Sequence, residues 1–180
     1  MADSRTGEAV PGGASTLDTV NALLAGTLME RMGIRFEAVS AGHLVASMPV
    51  AGNTQPYGLL HGGASCALAE TLGSIGATLH AATTGQVALG VEINASHHRA
   101  VSAGRVTGTA TAVHLGRTLA GYEVVVTDDG GHRVCTSRVT CLLRDPDRIP
   151  AAPRDVVAGD AGTARRRDDG GDTAPTGQGA

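Results

Sequence analysis

The sequence predicts an α+β fold in which one long central helix packs against a curved antiparallel sheet. Residues 61–82 form a helix-like run with one charged residue, Glu70, between His61 and Leu79. Four strand-like runs follow, and their short connections favour antiparallel pairing. No second helix long enough for a parallel crossover lies among them. A long apolar helix followed by such a meander predicts a sheet wrapped around the helix.

Short elements precede the long helix. Two helical turns are predicted, the first capped by Ser15 or Thr16. Two strands with alternating apolar residues follow, joined by a turn at Ala41 and Gly42. A loop with Pro56 and two glycines then leads into the helix. These segments are helical residues 17–24 and 28–32, strand residues 34–39 and 43–50, and loop residues 51–60.

Four longer strands are predicted after the helix. The Asp-Asp-Gly-Gly sequence over residues 128–131 is typical of a hairpin turn and separates the last two of them. The four strands are residues 86–98, 105–114, 118–127 and 132–143.

Length and composition predict one domain. Residues 1–15 and 146–180 are poor in large apolar side chains, which predicts disordered tails around a domain of residues 16–145. The net charge of −3, with one Phe, two Tyr and no Trp, argues against nucleic-acid binding. Three cysteines without ligand spacing predict no metal site. Without a signal-like or membrane-spanning run, we expect a cytoplasmic protein with no membrane contact.

The lone carboxylate of the long helix is the first candidate for chemistry. At about 100° per residue, Leu68, Leu72 and Leu79 share one face, and Glu70 lies opposite among small residues. Such a face predicts a helix covered on all sides, with backbone or substrate close to Glu70. A buried carboxylate is costly unless it is paired or used, so Glu70 indicates an enzyme or a structural ion pair. The small residues are Gly63, Cys66, Ala67, Ser74 and Ala77.

Three stretches carry a resemblance to a known family: QPYGLLHGGASCALAE, GVEINASHHR and HLGR, in this order. Over residues 17–143 the sequence closely resembles the hot-dog thioesterases, of the type that includes 4-hydroxybenzoyl-CoA thioesterases and the proofreading thioesterases of enterobactin biosynthesis. The resemblance implies the hot-dog fold and hydrolysis of acyl-CoA or acyl-carrier thioesters, with aromatic acyl groups as the first class to test. It implies no cofactor other than CoA as part of the substrate. It also implies a homodimer with shared active sites, arranged as a tetramer.

The resemblance further implies roles for individual residues. Glu70 occupies the position of the catalytic carboxylate, where the phenylacetate-degradation branch has Asp. Gln55, His61 and Gly62 match the loop and the helix start, and Ser74 stands one turn after the carboxylate. The residues implied to hold the CoA or carrier arm are His97, Arg99, His114, Gly116 and Arg117.

These residue types suit thioester hydrolysis. The N–H groups at a helix start lie at its positive dipole end, so Gly62 can donate to the thioester oxygen. Glu70 lies about 12 Å further along the helix and cannot readily reach that carbonyl in its own chain. The spacing therefore predicts that Glu70 of a second subunit completes the site, as nucleophile or as general base. Arg99 and Arg117 are always cationic and suit the CoA phosphates.

Other interpretations stay open at this point. His61 and His114 can equally be structural histidines, and Arg99 and Arg117 can be solvated turn charges. The His-Gly-Gly motif also occurs in esterases of the α/β-hydrolase fold, but the sequence has no GxSxG nucleophile motif. Hot-dog dehydratases place a His and a carboxylate in motif contexts that this sequence does not show. A non-catalytic acyl-thioester binding protein is the main alternative from another class, although a binder has no need of a buried carboxylate.

Overall fold

The computed structural model describes residues 15–148. The predicted tails lie almost entirely outside these residues, and their disorder stays a prediction. Within the described range, each helix and strand ends within two residues of its predicted position. A short 3₁₀ turn, Pro146–Arg148, ends the range. In chain order the elements are α1 (Thr16–Ala22), α2 (Leu28–Arg31), β1 (Arg35–Val39), β2 (His43–Pro49), α3 (Gly62–Ala82), β3 (Val87–His97), β4 (Arg105–Leu115), β5 (Leu119–Asp128) and β6 (Arg133–Arg144).

The sheet has six antiparallel strands in the order β1-β2-β4-β5-β6-β3. The predicted meander is correct for β4, β5 and β6 but wrong for β3, which pairs with β6. Because β2 and β5 occupy the two edges of β4, no edge is left for β3 there. The connection from β3 to β4 therefore passes β6 and β5, and β3 becomes an edge strand.

The N-terminal helix is held to the sheet by side-chain hydrogen bonds. Ser15 caps α1, as predicted, and forms a capping box with Asp18. Asn21 donates to the Phe36 carbonyl at 3.0 Å and accepts from the Phe36 N–H at 2.9 Å. These two bonds dock α1 on β1.

The small residues of α3 let the helix approach the sheet closely. A Cβ at Gly73 would lie 2.7 Å from Cβ of Val139, and a Cβ at Gly76 would lie 2.7 Å from Leu44. Larger residues at either position would therefore push the helix away from β6 or β2.

The sheet covers only one side of α3. Leu68 and Leu72 are fully buried, whereas Cys66, Glu70 and Ser74 are half-buried. The prediction of a helix covered on all sides is therefore not met within one chain, because one curved sheet covers one face of a helix. No helix within residues 15–148 is both long and apolar enough to span a membrane.

The edge strand β3 exposes apolar side chains. Leu89, Val91 and Ile93 are 41%, 55% and 37% exposed. Its pairing with β6 shifts between Gly90 and Glu92, which makes a bulge at Val91. An exposed edge offers unpaired backbone groups to another strand. The available edge lies beside the half-buried face of α3.

Candidate active site

The loop between β2 and α3 brings Gln55 to the start of the helix. Asn53 anchors this loop, because its Nδ2 donates to the carbonyls of Met32 at 2.8 Å and Pro49 at 2.9 Å. An antiparallel bridge closes the loop just before α3 begins. The position of Gln55 is therefore set by both chain ends of the loop.

His61 is the N-cap of α3. Its Nδ1 accepts a hydrogen bond from the Gly63 N–H at 2.8 Å, which satisfies one of the free donors at the helix start. In the neutral ring, this bond leaves the proton on Nε2. The structure thus gives His61 a structural role at the helix end, whatever it contributes to substrate.

Gly62 is the first residue of α3, and its N–H has no hydrogen-bond partner among the described residues. A Cβ at this position would lie 2.9 Å from Nε2 of His97. The absence of a side chain therefore lets the His97 ring lie against the helix start. It also leaves a free backbone donor at the positive end of the helix dipole.

One cavity of about 400 Å³ lies beside Gln55, Gly62 and His97, and His61 does not line it. Gln55, Gly62, His97 and Arg99, which the sequence assigned to the site, all contribute to its wall. Glu70 of the same chain does not line it. The full lining is Gln55, Leu59, Leu60, Gly62, Ser65, His97, His98, Arg99, Ala100 and Val134.

Glu70 lies further along α3, where Ser74 and β3 define its position. The Ser74 hydroxyl donates to Oε1 of Glu70 at 3.0 Å. On the other side, a Cβ at Gly90 would collide with the same oxygen. The sequence-based expectation that backbone approaches Glu70 closely is therefore met by β3. Since β3 is an edge strand, the carboxylate stands next to the open side of the sheet.

Arg99 is engaged in an ion pair at the mouth of the cavity. Its Nε lies 3.4 Å from Oδ2 of Asp128. The backbone N–H of His132 donates to Asp128 at 2.9 Å and lowers the pKa of this carboxyl. Because the arginine side chain is about half exposed, a phosphate could compete with Asp128 for Arg99 at modest cost.

The other residues predicted to hold the CoA arm, His114, Gly116 and Arg117, lie at the opposite end of α3. Arg117 lines a cavity of about 530 Å³ beyond the C-terminus of the helix. His80, in the last turn, bonds through Nε2 to the Gly116 carbonyl at 2.8 Å, and the ring of His114 lies against Gly116. With 21 residues in α3, about 30 Å of helix separates this cluster from Arg99. One chain therefore does not bring the two halves of the predicted CoA site together.

Two residues that contact predicted site residues were not predicted from the sequence. Gly90 lies against Glu70, and His80 is hydrogen-bonded to Gly116. A lone glycine inside a strand signals close approach of another group, so Gly90 could have been found from the sequence. His80 carried no such signal, because its partner Gly116 comes from a distant turn. Within residues 15–148, no three His, Cys, Asp or Glu side chains are grouped so that they could hold a metal ion.

Comparison with known proteins places the chain in a family. Residues 57–135 match the Thioesterase superfamily. A crystal structure of a mutant thioesterase from Pseudomonas aeruginosa superposes with a TM-score of 0.69 at 41% identity, over 73% of this chain and 95% of that one. A thioesterase from Haemophilus influenzae gives a TM-score of 0.67 at 35% identity, over 73% and 92%. The chain belongs to the hot-dog thioesterase superfamily and is a thioester hydrolase.

Within this superfamily, the chain is similar to proofreading thioesterases. The chain is 51% identical to the proofreading thioesterase EntH of Cronobacter turicensis over 129 residues, which are 71% of this chain and 93% of the relative. It is 49% identical to EntH of Klebsiella pneumoniae over 69% of this chain and 90% of the relative. These matches favour the hydrolase over the non-catalytic binding protein that the sequence alone left open.

Proposed function

We propose that the chain hydrolyses acyl-CoA or acyl-carrier-protein thioesters, with Glu70 as nucleophile or general base. The observation that carries this proposal is the placement of Glu70. Its carboxylate is oriented by Ser74 and lies against Gly90, beside a sheet edge with room for a second chain. A carboxylate held in one orientation next to an open edge can act on a group bound there.

The helix start supplies the second half of the reaction. The free N–H of Gly62 faces the cavity and polarises the thioester carbonyl, whose oxygen becomes negative in the transition state. Gln55 lines the same cavity and positions the thioester or its attacking water. His61 holds the helix start through its cap, so that the donor geometry persists.

Two facts support a site shared by two subunits. Glu70 lies about 12 Å along α3 from Gly62 and does not line the cavity of its own chain. The apolar edge strand next to it is uncovered in a single chain. Pairing of two β3 edges into one continuous sheet would cover this strand and bring a second copy to the site. We propose this homodimer, assembled further into a tetramer as the family resemblance implies.

The CoA arm would then contact residues from more than one subunit. His97 and Arg99 lie at one end of α3, and His114, Gly116 and Arg117 lie at the other. If both groups hold one CoA molecule, one group must come from another copy of the chain.

Relatives support the assignment of the two central residues. Two solved structures of a thioesterase from Staphylococcus aureus, at 35% and 36% identity, carry a Gln-to-Ala and a Glu-to-Ala replacement. The two replaced residues are fifteen positions apart, as Gln55 and Glu70 are in this chain.

Glu70→Gln tests the proposal directly. The substitution keeps size and hydrogen bonding but removes the charge, so kcat should fall by about 10²–10⁴-fold while ligand binding persists. Thiol release from benzoyl-CoA and decanoyl-CoA, followed with a thiol-reactive dye, measures kcat and also compares aromatic with aliphatic acyl groups.

Glu37→Gln provides the matched control. Glu37 is an exposed carboxylate on β1, far along the sheet from Glu70, and its loss should leave kcat unchanged. Full activity of Glu70→Gln would overturn the catalytic assignment.

A further inference from the structure

The buried polar side chains of the described residues belong to three serines: Ser47, Ser65 and Ser137. Two of them have hydrogen-bond partners. Ser47 accepts from Nη2 of Arg105 at 3.0 Å, and Ser137 donates to the Asn94 carbonyl at 2.6 Å. The hydroxyl of Ser65 has no hydrogen-bond partner in the part of the chain that the structure describes, although the residue is only 1% exposed.

The unpartnered hydroxyl of Ser65 opens into the cavity at the start of α3. Among the described residues, no completely enclosed side-chain nitrogen or oxygen lacks a partner. The Ser65 oxygen is therefore not completely enclosed, and the small accessible surface of this residue includes its hydroxyl. Ser65 lines the cavity of about 400 Å³ together with Gln55 and Gly62. The hydroxyl is thus available to a molecule bound in this cavity.

Ser65 lies one helical turn after Gly62 and on the same face of α3. Side chains of a helix lean toward its N-terminus, so Ser65 covers the turn that begins with Gly62. The N–H groups of the three residues after Gly62 are all bonded to His61. The helix start therefore offers one free backbone donor, from Gly62, and the Ser65 hydroxyl offers a second donor beside it.

Two donors side by side suit a carbonyl oxygen. This oxygen has two lone pairs, and it becomes negative when the thioester carbon is attacked. The Ser65 hydroxyl has one proton to donate, and no described group of the protein accepts it. No existing bond has to break before the hydroxyl donates to a ligand, so the donor is ready in advance.

We propose that Ser65 is a further catalytic residue, because its hydroxyl donates to the thioester carbonyl oxygen beside the Gly62 N–H. This inference rests on the proposed role of Gly62 as a carbonyl donor. When Glu70 or water attacks the carbonyl carbon, the C=O electron pair moves onto the oxygen, where both donors stabilise the charge. The pair returns as the C–S bond breaks and the thiolate leaves. Ser65 keeps its proton throughout.

Ser65→Ala tests the proposal, because it removes only the hydroxyl. Both kcat and kcat/KM should fall by about 10- to 100-fold. The loss should be the same for benzoyl-CoA and decanoyl-CoA, since the two substrates share the thioester carbonyl. Thiol release measures both. A loss confined to one of the two substrates would place the hydroxyl against the acyl group and overturn the proposal.

Stability separates catalysis from packing. Because the hydroxyl lacks a partner in the described protein, Ser65→Ala should leave the urea midpoint unchanged or raise it. Ser137→Ala is the matched control, since it makes the same change at an equally buried serine whose hydroxyl is bonded. It should lower the urea midpoint and leave kcat unchanged while the protein is folded. If Ser65→Ala instead loses stability and activity together, the hydroxyl serves packing and the proposal is overturned.

The outcome can also be told apart from a failure of the proposed function. If Glu70→Gln is inactive and Gly62→Ala is impaired while Ser65→Ala is fully active, only the role of Ser65 is overturned. If Gly62→Ala is fully active, the helix start does not bind the carbonyl and the role of Ser65 falls with it. The result for Glu70→Gln still decides the catalytic role of Glu70 in that case.

Discussion

At the helix start, Gly62 leaves no space for a side chain. The His97 ring lies 2.9 Å from the position that a Cβ would take. A donor that must approach the substrate carbonyl therefore depends on a glycine, because any substituent would displace either the ring or the backbone. The same local geometry serves the donor and places a histidine at the wall of the cavity.

Gly62→Ala should lower kcat/KM by about 10- to 100-fold without unfolding the protein, because the donor and the His97 ring are displaced together. Steady-state kinetics with benzoyl-CoA measures the loss. Gly42→Ala is the control, since a Cβ at Gly42 meets nothing within 4 Å. An unchanged kcat/KM for Gly62→Ala would show that the helix start is not the carbonyl-binding group.

Arg99 and Arg117 should act on the nucleotide end of CoA. Replacing either by Ala should raise KM for an acyl-CoA several-fold, leave kcat largely unchanged, and matter little for a pantetheine thioester that lacks the nucleotide. Arg138→Ala is the control, because it removes an exposed arginine from the middle of β6. It should leave KM unchanged for both the acyl-CoA and the pantetheine thioester. Equal effects on both substrates would remove these arginines from the phosphate site.

Among the elements, α3 depends on its glycines for contact with the sheet. Gly73 lies over Val139 of β6, where a Cβ on the glycine would come within 2.7 Å of the valine Cβ. A strand Cβ cannot move away as the end of a flexible side chain can. The helix that carries Glu70 and Ser74 is therefore set against β6 by the absence of a methyl group.

Gly73→Ala should destabilise the fold by about 1–3 kcal/mol, because overpacking outweighs the higher helix propensity of Ala, which is worth about 1 kcal/mol. Urea unfolding followed by circular dichroism gives the difference. Gly42→Ala again serves as control, and its midpoint should stay unchanged. A midpoint that rises for Gly73→Ala would contradict the close approach of α3 to β6.

For the whole molecule, the site is expected to need two chains. Glu70 and Gly62 lie on one helix at a separation that prevents them from meeting on one thioester. The uncovered edge of β3 offers the surface on which a second chain can bring its own Glu70 to this cavity.

Mixed assemblies test this arrangement. Glu70→Gln and Gln55→Ala should each be weakly active, and subunit exchange between them should restore activity, because one of the two sites in a mixed dimer combines the two unmutated contributions. Mass spectrometry of differently tagged chains verifies the exchange. A mixture that exchanges fully but stays as inactive as its components would refute the shared site.

Much of this molecule could be predicted from local patterns. The apolar run of α3, the alternation of β1 to β6 and the single carboxylate at Glu70 are each encoded in neighbouring residues, because burial of a face repeats with the period of the element. The loop that carries Gln55 and the His61 helix start were placed for the same reason. Of these candidate residues, Gln55 and Gly62 do meet in one cavity, whereas His61 does not line it.

Other features depend on contacts between distant parts of the chain. The pairing of β3 with β6, the ion pair of Arg99 with Asp128, and the hydrogen bond of His80 with Gly116 join residues that lie about 30 to 60 positions apart. No local periodicity encodes which strand pairs with which, since strand order follows from the edges that remain free once the other strands have paired. The residues proposed to carry the chemistry could therefore be predicted from the sequence. The residues that hold them in position could be identified only from the packing of the sheet against α3.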